Sequence, residues 1–181
     1  RQMCIRDRTM TTNTQVLIDS LPQGKLEESH YRIESSDMPE VPQGGVLVKT
    51  QAFAITAGTR AGLQGSASYA GAPTTNIVMN GTGVGEVIES QASNLPVGTK
   101  VVGQTGWQQF SAHEAGALSA IPDDHNPLHY LGPMGVNGLT AYFGLFNVGQ
   151  PESGETVMVS AAAGSVGHMV GQMAKIKGSK V

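Results

Sequence analysis

Between Glu155 and Lys177 the chain runs from an apolar stretch through a glycine turn into a helical repeat, and few folds accommodate that order. Thr156 to Ser160 is short, β-branched and uninterrupted, which predicts a strand buried on both faces of a parallel sheet. Ala162-Ala-Gly-Ser-Val-Gly follows at once. Val166, Met169, Val170, Met173 and Ile176 then recur at helical spacing, and Gly178 stands where a helix commonly ends in the left-handed conformation. The expectation is strand, turn, helix.

Such a turn suits a dinucleotide pyrophosphate. Backbone N–H groups at a helix start have no intrahelical partner and carry partial positive charge, so they stabilise an anion that no side chain keeps away. Gly164 permits that approach, and Gly167 lets the helix pack close to the strand. Ala162 occupies the first-glycine position of G-x-G-x-x-G. The competing explanation is an ordinary tight connection between a strand and a helix.

A chain of 181 residues allows one domain of ordinary size, or one and part of another. Charged residues make up only 14% and Gly 24 of the chain, which predicts many turns and much β-structure. The net charge of −3 argues against a nucleic-acid surface, and no apolar stretch reaches the length of a membrane helix. A soluble, cytoplasmic protein is expected, without nucleic-acid or membrane partners. Cys4 is the one cysteine, so no intramolecular disulfide forms and no zinc site is built on several thiolates. His30, His113, His125, His129 and His168 read as surface or loop residues, and no metal site is expected.

Arg1 to Thr9 carries neither periodicity nor an apolar core and reads as a non-native or disordered extension, with a natural start near Met10. Beyond it, strands are expected at Gln15 to Ile18, His30 to Glu34, Gly45 to Ile55, Val84 to Ile88, Lys100 to Val102 and Trp107 to Ser111. A loop rich in proline and glycine is expected from Asp37 to Gly45. Strands at this spacing suggest a small, partly open β-barrel. Leu139, Tyr142, Phe143 and Phe146 predict a helix that Gly149 and Pro151 end. The expected organisation is a barrel over 10–128 and a dinucleotide-binding part over 129–181.

Gly138-Leu-Thr-Ala-Tyr-Phe-Gly-Leu, Val148-Gly-Gln-Pro-Glu-Ser-Gly-Glu-Thr and Ala161-Ala-Ala-Gly-Ser-Val-Gly resemble the medium-chain dehydrogenase/reductase superfamily. With Gly83-Val-Gly-Glu-Val-Ile-Glu-Ser and Val97-Gly-Thr-Lys-Val-Val-Gly-Gln-Thr-Gly-Trp-Gln-Gln-Phe they are similar to its zinc-independent branch of prostaglandin and leukotriene, 2-alkenal and curcumin reductases. The resemblance implies a GroES-like, partly open barrel followed by the first part of a Rossmann fold. It also implies hydride transfer from NADPH to the β-carbon of an α,β-unsaturated ketone or aldehyde, and a homodimer when full length. Carried over by position, Met134 and Thr140 lie near the nicotinamide, and Ala162, Ala163, Gly164, Ser165, Val166 and Gly167 along the pyrophosphate. For Thr140 the competing explanation is a helix threonine bonding its own backbone, and for Met134 and Tyr142 plain core packing, which is preferred for Tyr142.

Asn80-Gly-Thr-Gly-Val-Gly replaces the Gly-His-Glu element of zinc-dependent relatives, and Ile55-Thr-Ala-Gly-Thr-Arg differs from the Leu-Asp-Pro segment usual in these reductases. Gly178-Ser-Lys-Val enters only a second parallel strand, so the chain reads as a fragment of a longer reductase. The family's late tyrosine, and the residue that separates NAD from NADP, would then fall beyond it. Two alternatives stay open: a zinc-free quinone reductase, and a non-catalytic β-barrel binding module.

Overall fold

Residues 12–65 and 73–181 are described by a computed structural model, and the extension expected at residues 1–9 lies outside them. The chain divides into two units between Asp123 and Asp124.

The first unit is built from antiparallel pairs, as its short strands and frequent turn residues require. β1 (Thr12–Ile18) pairs with β2 (Tyr31–Asp37), register Thr12 with Asp37 to Ile18 with Tyr31. β3 (Gly45–Phe53), α1 (Ala57–Leu63), β4 (Gly83–Ser90), β5 (Lys100–Gly103), β6 (Phe110–Glu114) and β7 (Ser119–Ala120) follow. The five later strands form one sheet in the order β6-β3-β4-β5-β7. β1 runs beside the approach to β6: the Val16 N–H donates to the Trp107 carbonyl at 2.9 Å, and the Gln109 N–H to the Thr14 carbonyl at 3.0 Å. The buried Asn13 amide completes that seam, accepting from the Phe110 N–H and donating to the Phe110 carbonyl, each at 2.9 Å. The result is a partly open barrel.

β3 is the middle of this arrangement, hydrogen-bonded to β4 and to β6, and Gly45 to Val48 are all buried. Val46 and Val48 pack with Val87, Leu95, Val101 and Leu118. A second cluster joins Ile18, Leu63 and Met79, with Leu21, Leu26, Tyr31 and Trp107 against it.

Two expectations for this unit are corrected, and two further elements join it. The strand read at Trp107 to Ser111 lies three residues later, and Trp107 is packed outside it, its ring stacked on Tyr31 at 5.5 Å and on Phe53 at 5.2 Å. Burying two aromatic faces outweighs the local preference of Trp107 for a strand. α1 and β7 were not anticipated; α1 starts where the Thr56 hydroxyl accepts from the Thr59 N–H at 3.2 Å. His113 is neither loop nor surface: it lies on β6, half-buried opposite Val46, with Nε2 at 2.8 Å from the Ser111 hydroxyl. Burial without a countercharge lowers its proton affinity below the ordinary histidine value.

The second unit contains α2 (Val136–Tyr142), continuing into a π-helical turn at Phe143–Gly149, and α3 (Gly167–Lys177). Pro151 follows that first helix as expected, but its left-handed residue is Gln150, φ 47°, rather than Gly149. Tyr142 is not core: it is half exposed, edge-on to Phe143 and Phe146. α3 and its stop match their expectation, Gly178 lying at φ 95° with its N–H on the Ala174 and Lys175 carbonyls.

Thr156 to Ser160 does not form the doubly buried strand. Thr156 makes a single parallel bridge with Lys180, carried by Val157 N–H to the Lys180 carbonyl and Lys180 N–H to the Glu155 carbonyl, both 2.8 Å. Met158 is 95% exposed. A parallel strand is stabilised by neighbours on both edges and cover on both faces, and among the described residues Lys180 is its one strand neighbour. Among the described residues no helix is long and apolar enough to cross a membrane.

Candidate nucleotide-binding turn

The bridge of Thr156 to Lys180 is parallel, and α3 lies between the two in sequence, so the start of a β-α-β crossover is present. The residues joining its first strand to α3 form a tight turn. Ala161 has φ 50°, a left-handed backbone uncommon outside glycine, asparagine and aspartate, and its carbonyl accepts the Gly164 N–H at 2.9 Å. Nothing in the Ala161 side chain announces a positive φ, so its part in the turn is not readable from sequence.

The two glycines do different work. A Cβ on Gly167 would collide with the Ala161 carbonyl, so the helix can begin this close to the turn only with glycine there. At Gly164 the same atom would meet just the Ala161 oxygen at 3.2 Å and otherwise open space. Gly164 faces a groove of about 470 Å³ lined by Val157 to Ala161, Gly164 to Gly167 and Val170. That volume is within the range of small-molecule sites. Ala162 and Ala163 belong to the same turn but not to the lining.

Among the described residues the N–H groups of Ser165, Val166 and Gly167 have no backbone acceptor. No side chain caps α3, and its first turn holds no acidic residue, so the positive end of an 11-residue helix is left for an external anion. Lys175 and Lys177 sit at the opposite, negative end. The turn therefore fits a pyrophosphate: unpaired donors, a helix start, and a glycine where the ligand must come close.

Met134 and Thr140 stand apart from the groove lining. Met134 is 52% exposed after a bend in which its N–H donates to the His129 carbonyl at 2.9 Å. Gly138 makes that bend possible, because a Cβ there would overlap the Pro133 carbonyl. The Thr140 hydroxyl donates to the Val136 carbonyl at 2.6 Å, the backbone bond weighed for it, which leaves its lone pairs available. His125 and His129 are four apart, a spacing that pairs imidazoles on an α-helix, but residues 127–131 form a 3-10 turn and His125 precedes it, bonded to the Tyr130 hydroxyl at 2.7 Å. Among the described residues no three His, Cys, Asp or Glu side chains gather around a point that could hold a metal ion.

Residues 14–121 match a family described as the N-terminal domain of oxidoreductase. A provisionally named NADP-dependent oxidoreductase, YfmJ, of Bacillus subtilis (strain 168) is 42% identical over 168 residues, covering 92% of this chain and 49% of that protein. The NADPH-dependent curcumin reductase of Escherichia coli (strain K12) is 35% identical over 170 residues, covering 93% and 49%. Among solved structures, CurA from Vibrio vulnificus in complex with NADPH superposes with a TM-score of 0.85 at 33% identity, covering 92% and 50%. The chain thus spans about half the length of the relatives it matches.

Proposed function

The chain belongs to the family of oxidoreductase N-terminal domains, and on that premise we propose that the whole protein is an NADPH-dependent reductase of carbon–carbon double bonds conjugated to a ketone or aldehyde. The observation that carries the cofactor half of this reading is the turn at Ala161 to Gly167, where the N–H groups of Ser165, Val166 and Gly167 at the helix start are unpaired beside an open groove. Its support is the NADPH complex of a relative that shares the fold at 33% identity. The substrate half is supported by similarity to a curcumin reductase.

In this reading NADPH supplies the hydride, and the residues of this chain hold and orient it. Ser165, Val166 and Gly167 would donate N–H groups to phosphate oxygens, Gly164 would leave their approach clear, and Gly167 keeps the helix start close to the turn. Ala162 and Ala163 complete the turn. Met134, with an exposed apolar face, and Thr140, whose hydroxyl donates to Val136 and keeps its lone pairs, would be the residues holding the nicotinamide. NADPH would supply a hydride to the β-carbon of the substrate, protein hydrogen-bond donors would hold the resulting enolate oxygen, an effect of a few kcal/mol when they are preorganised, and a proton would then be added to the enolate to complete the reduction. We further place residues 10–128 in the substrate domain and 129–181 in the nucleotide-binding domain, and the whole protein in the cytoplasm as a homodimer that needs no metal.

Titrating NADPH into the full-length protein, followed by nicotinamide fluorescence, tests the cofactor site. Gly164→Val, with the fold intact, is expected to weaken affinity by about tenfold or more, roughly 1.4 kcal/mol. Unchanged affinity would show that the turn does not hold the pyrophosphate. NADPH oxidation with an enone should outpace that with a quinone, and the reverse order would replace the substrate assignment.

A further inference from the structure

His168, in the first turn of α3, is not used by the reading above. Its ring Nδ1 lies 2.8 Å from the Gly164 carbonyl, and its own N–H donates to the same oxygen at 3.1 Å. A carbonyl can only accept, so the ring carries a proton on Nδ1 and Gly164 receives two donors from one residue. The other side of that glycine is also tied, its N–H donating to Ala161. The Gln172 amide donates to the His168 carbonyl at 3.2 Å, one turn further along the helix.

Two donors on one carbonyl fix the plane of the Gly164–Ser165 peptide. No peptide bond among the described residues is cis, and in a trans peptide the N–H points opposite to the C=O. With the Gly164 oxygen drawn toward α3, the Ser165 N–H is turned away from the helix, and it is one of the three donors without a partner. Glycine lacks the Cβ that would otherwise restrict this peptide, so an external tether has most to restrain here. The imidazole is exposed and packs no core, so holding this plane is the interaction the structure gives it.

We infer that His168 is a positioning residue for the nucleotide phosphates, orienting the Gly164–Ser165 peptide through its Nδ1–H so that the Ser165 N–H is aimed before the ligand arrives. The inference rests on the pyrophosphate reading of the turn. It concerns binding and not the chemical step, because the ring acts on a backbone carbonyl and not on a reacting atom.

The test measures NADPH affinity by fluorescence titration, together with KM and kcat, in the full-length protein and in His168→Ala and His168→Asn. Losing one hydrogen bond that orients a donor should raise Kd and KM for NADPH by about tenfold in His168→Ala, with kcat at saturating NADPH and the melting temperature unchanged. His168→Asn should return most of the affinity, since its side-chain amide places an N–H where Nδ1–H stands. Unaltered affinity in His168→Ala, or no recovery in His168→Asn, overturns the inference. Gly164→Val measured alongside separates the two levels: if it weakens binding and His168→Ala does not, this inference alone falls; if Gly164→Val binds NADPH like the wild type, the nucleotide reading falls with it.

Discussion

Met79 and Met158 are the same side chain in opposite circumstances: one is 1% exposed in the barrel unit, the other 95% exposed in the unit that follows. The contrast extends to their surroundings. Val46, Val48, Val84, Val87 and Val101 are wholly buried, whereas Val148 and Ile176 are 82% and 86% exposed. The first unit closes because each antiparallel strand finds a partner within the same segment of chain, as in β3 with β4 and β4 with β5. The second begins a parallel arrangement, in which a strand needs neighbours on both edges and helices on both faces, and this chain brings Thr156 to one bridge with Lys180. Connectivity, more than hydrophobicity, separates the two.

The largest expected effect of this difference is on amide hydrogen exchange. Amides of β3 and β4 should exchange through global opening and those of Val157 to Ser160 through local motion, so protection should differ by about a thousandfold or more. Extending the chain with the second half of a close relative should then protect Val157 to Ser160. Equal protection in the unextended chain would end the comparison.

A smaller effect is expected from truncating the two methionines. Met79→Ala removes a buried side chain from the cluster with Ile18 and Leu63 and should cost about 2–4 kcal/mol in urea unfolding. Met158→Ala should change stability by less than about 0.5 kcal/mol. Similar losses at both positions would mean that Met158 is packed in solution.

The smallest effect sharpens the comparison through pH. His113 is half-buried in the barrel unit, and desolvation lowers its proton affinity in the folded state relative to the ordinary value of 6.5. The unfolded chain therefore binds more protons in the window below 6.5, and stability falls as pH is lowered through it. His113→Gln should flatten that slope in barrel unfolding while leaving the turn at Ala161 to Gly167 unaffected. An unchanged slope would place the acid sensitivity elsewhere.

Much of the candidate site was legible in the residues themselves. The helix from Gly167 to Lys177, its glycine stop and the need for glycine at Gly167 depend on contacts between residues a few positions apart, where sequence spacing and distance are tied together. His168 lies four residues after Gly164, a spacing that joins a side chain at a helix start to the turn before it, so its contact with the Gly164 carbonyl is equally local. Six of the seven β-strands were readable and largely in place, because alternation and turn residues are local as well, whereas the two-residue β7 was not.

What the tertiary structure alone decided depends on groups far apart in sequence. Trp107 leaves the strand pattern because Tyr31 and Phe53 stack on it, and His113 is desolvated because β6 lies along β3 opposite Val46. The positive φ of Ala161 follows from the fit of the helix start against its carbonyl, which no property of an alanine side chain encodes. Thr156 to Ser160 reads as a strand by composition, yet strand pairing is a property of two segments and not of one. A single bridge to Lys180 leaves Thr156, Met158 and Ser160 exposed, because the hydrogen bonds and cover that stabilise a parallel strand must come from elsewhere in the fold.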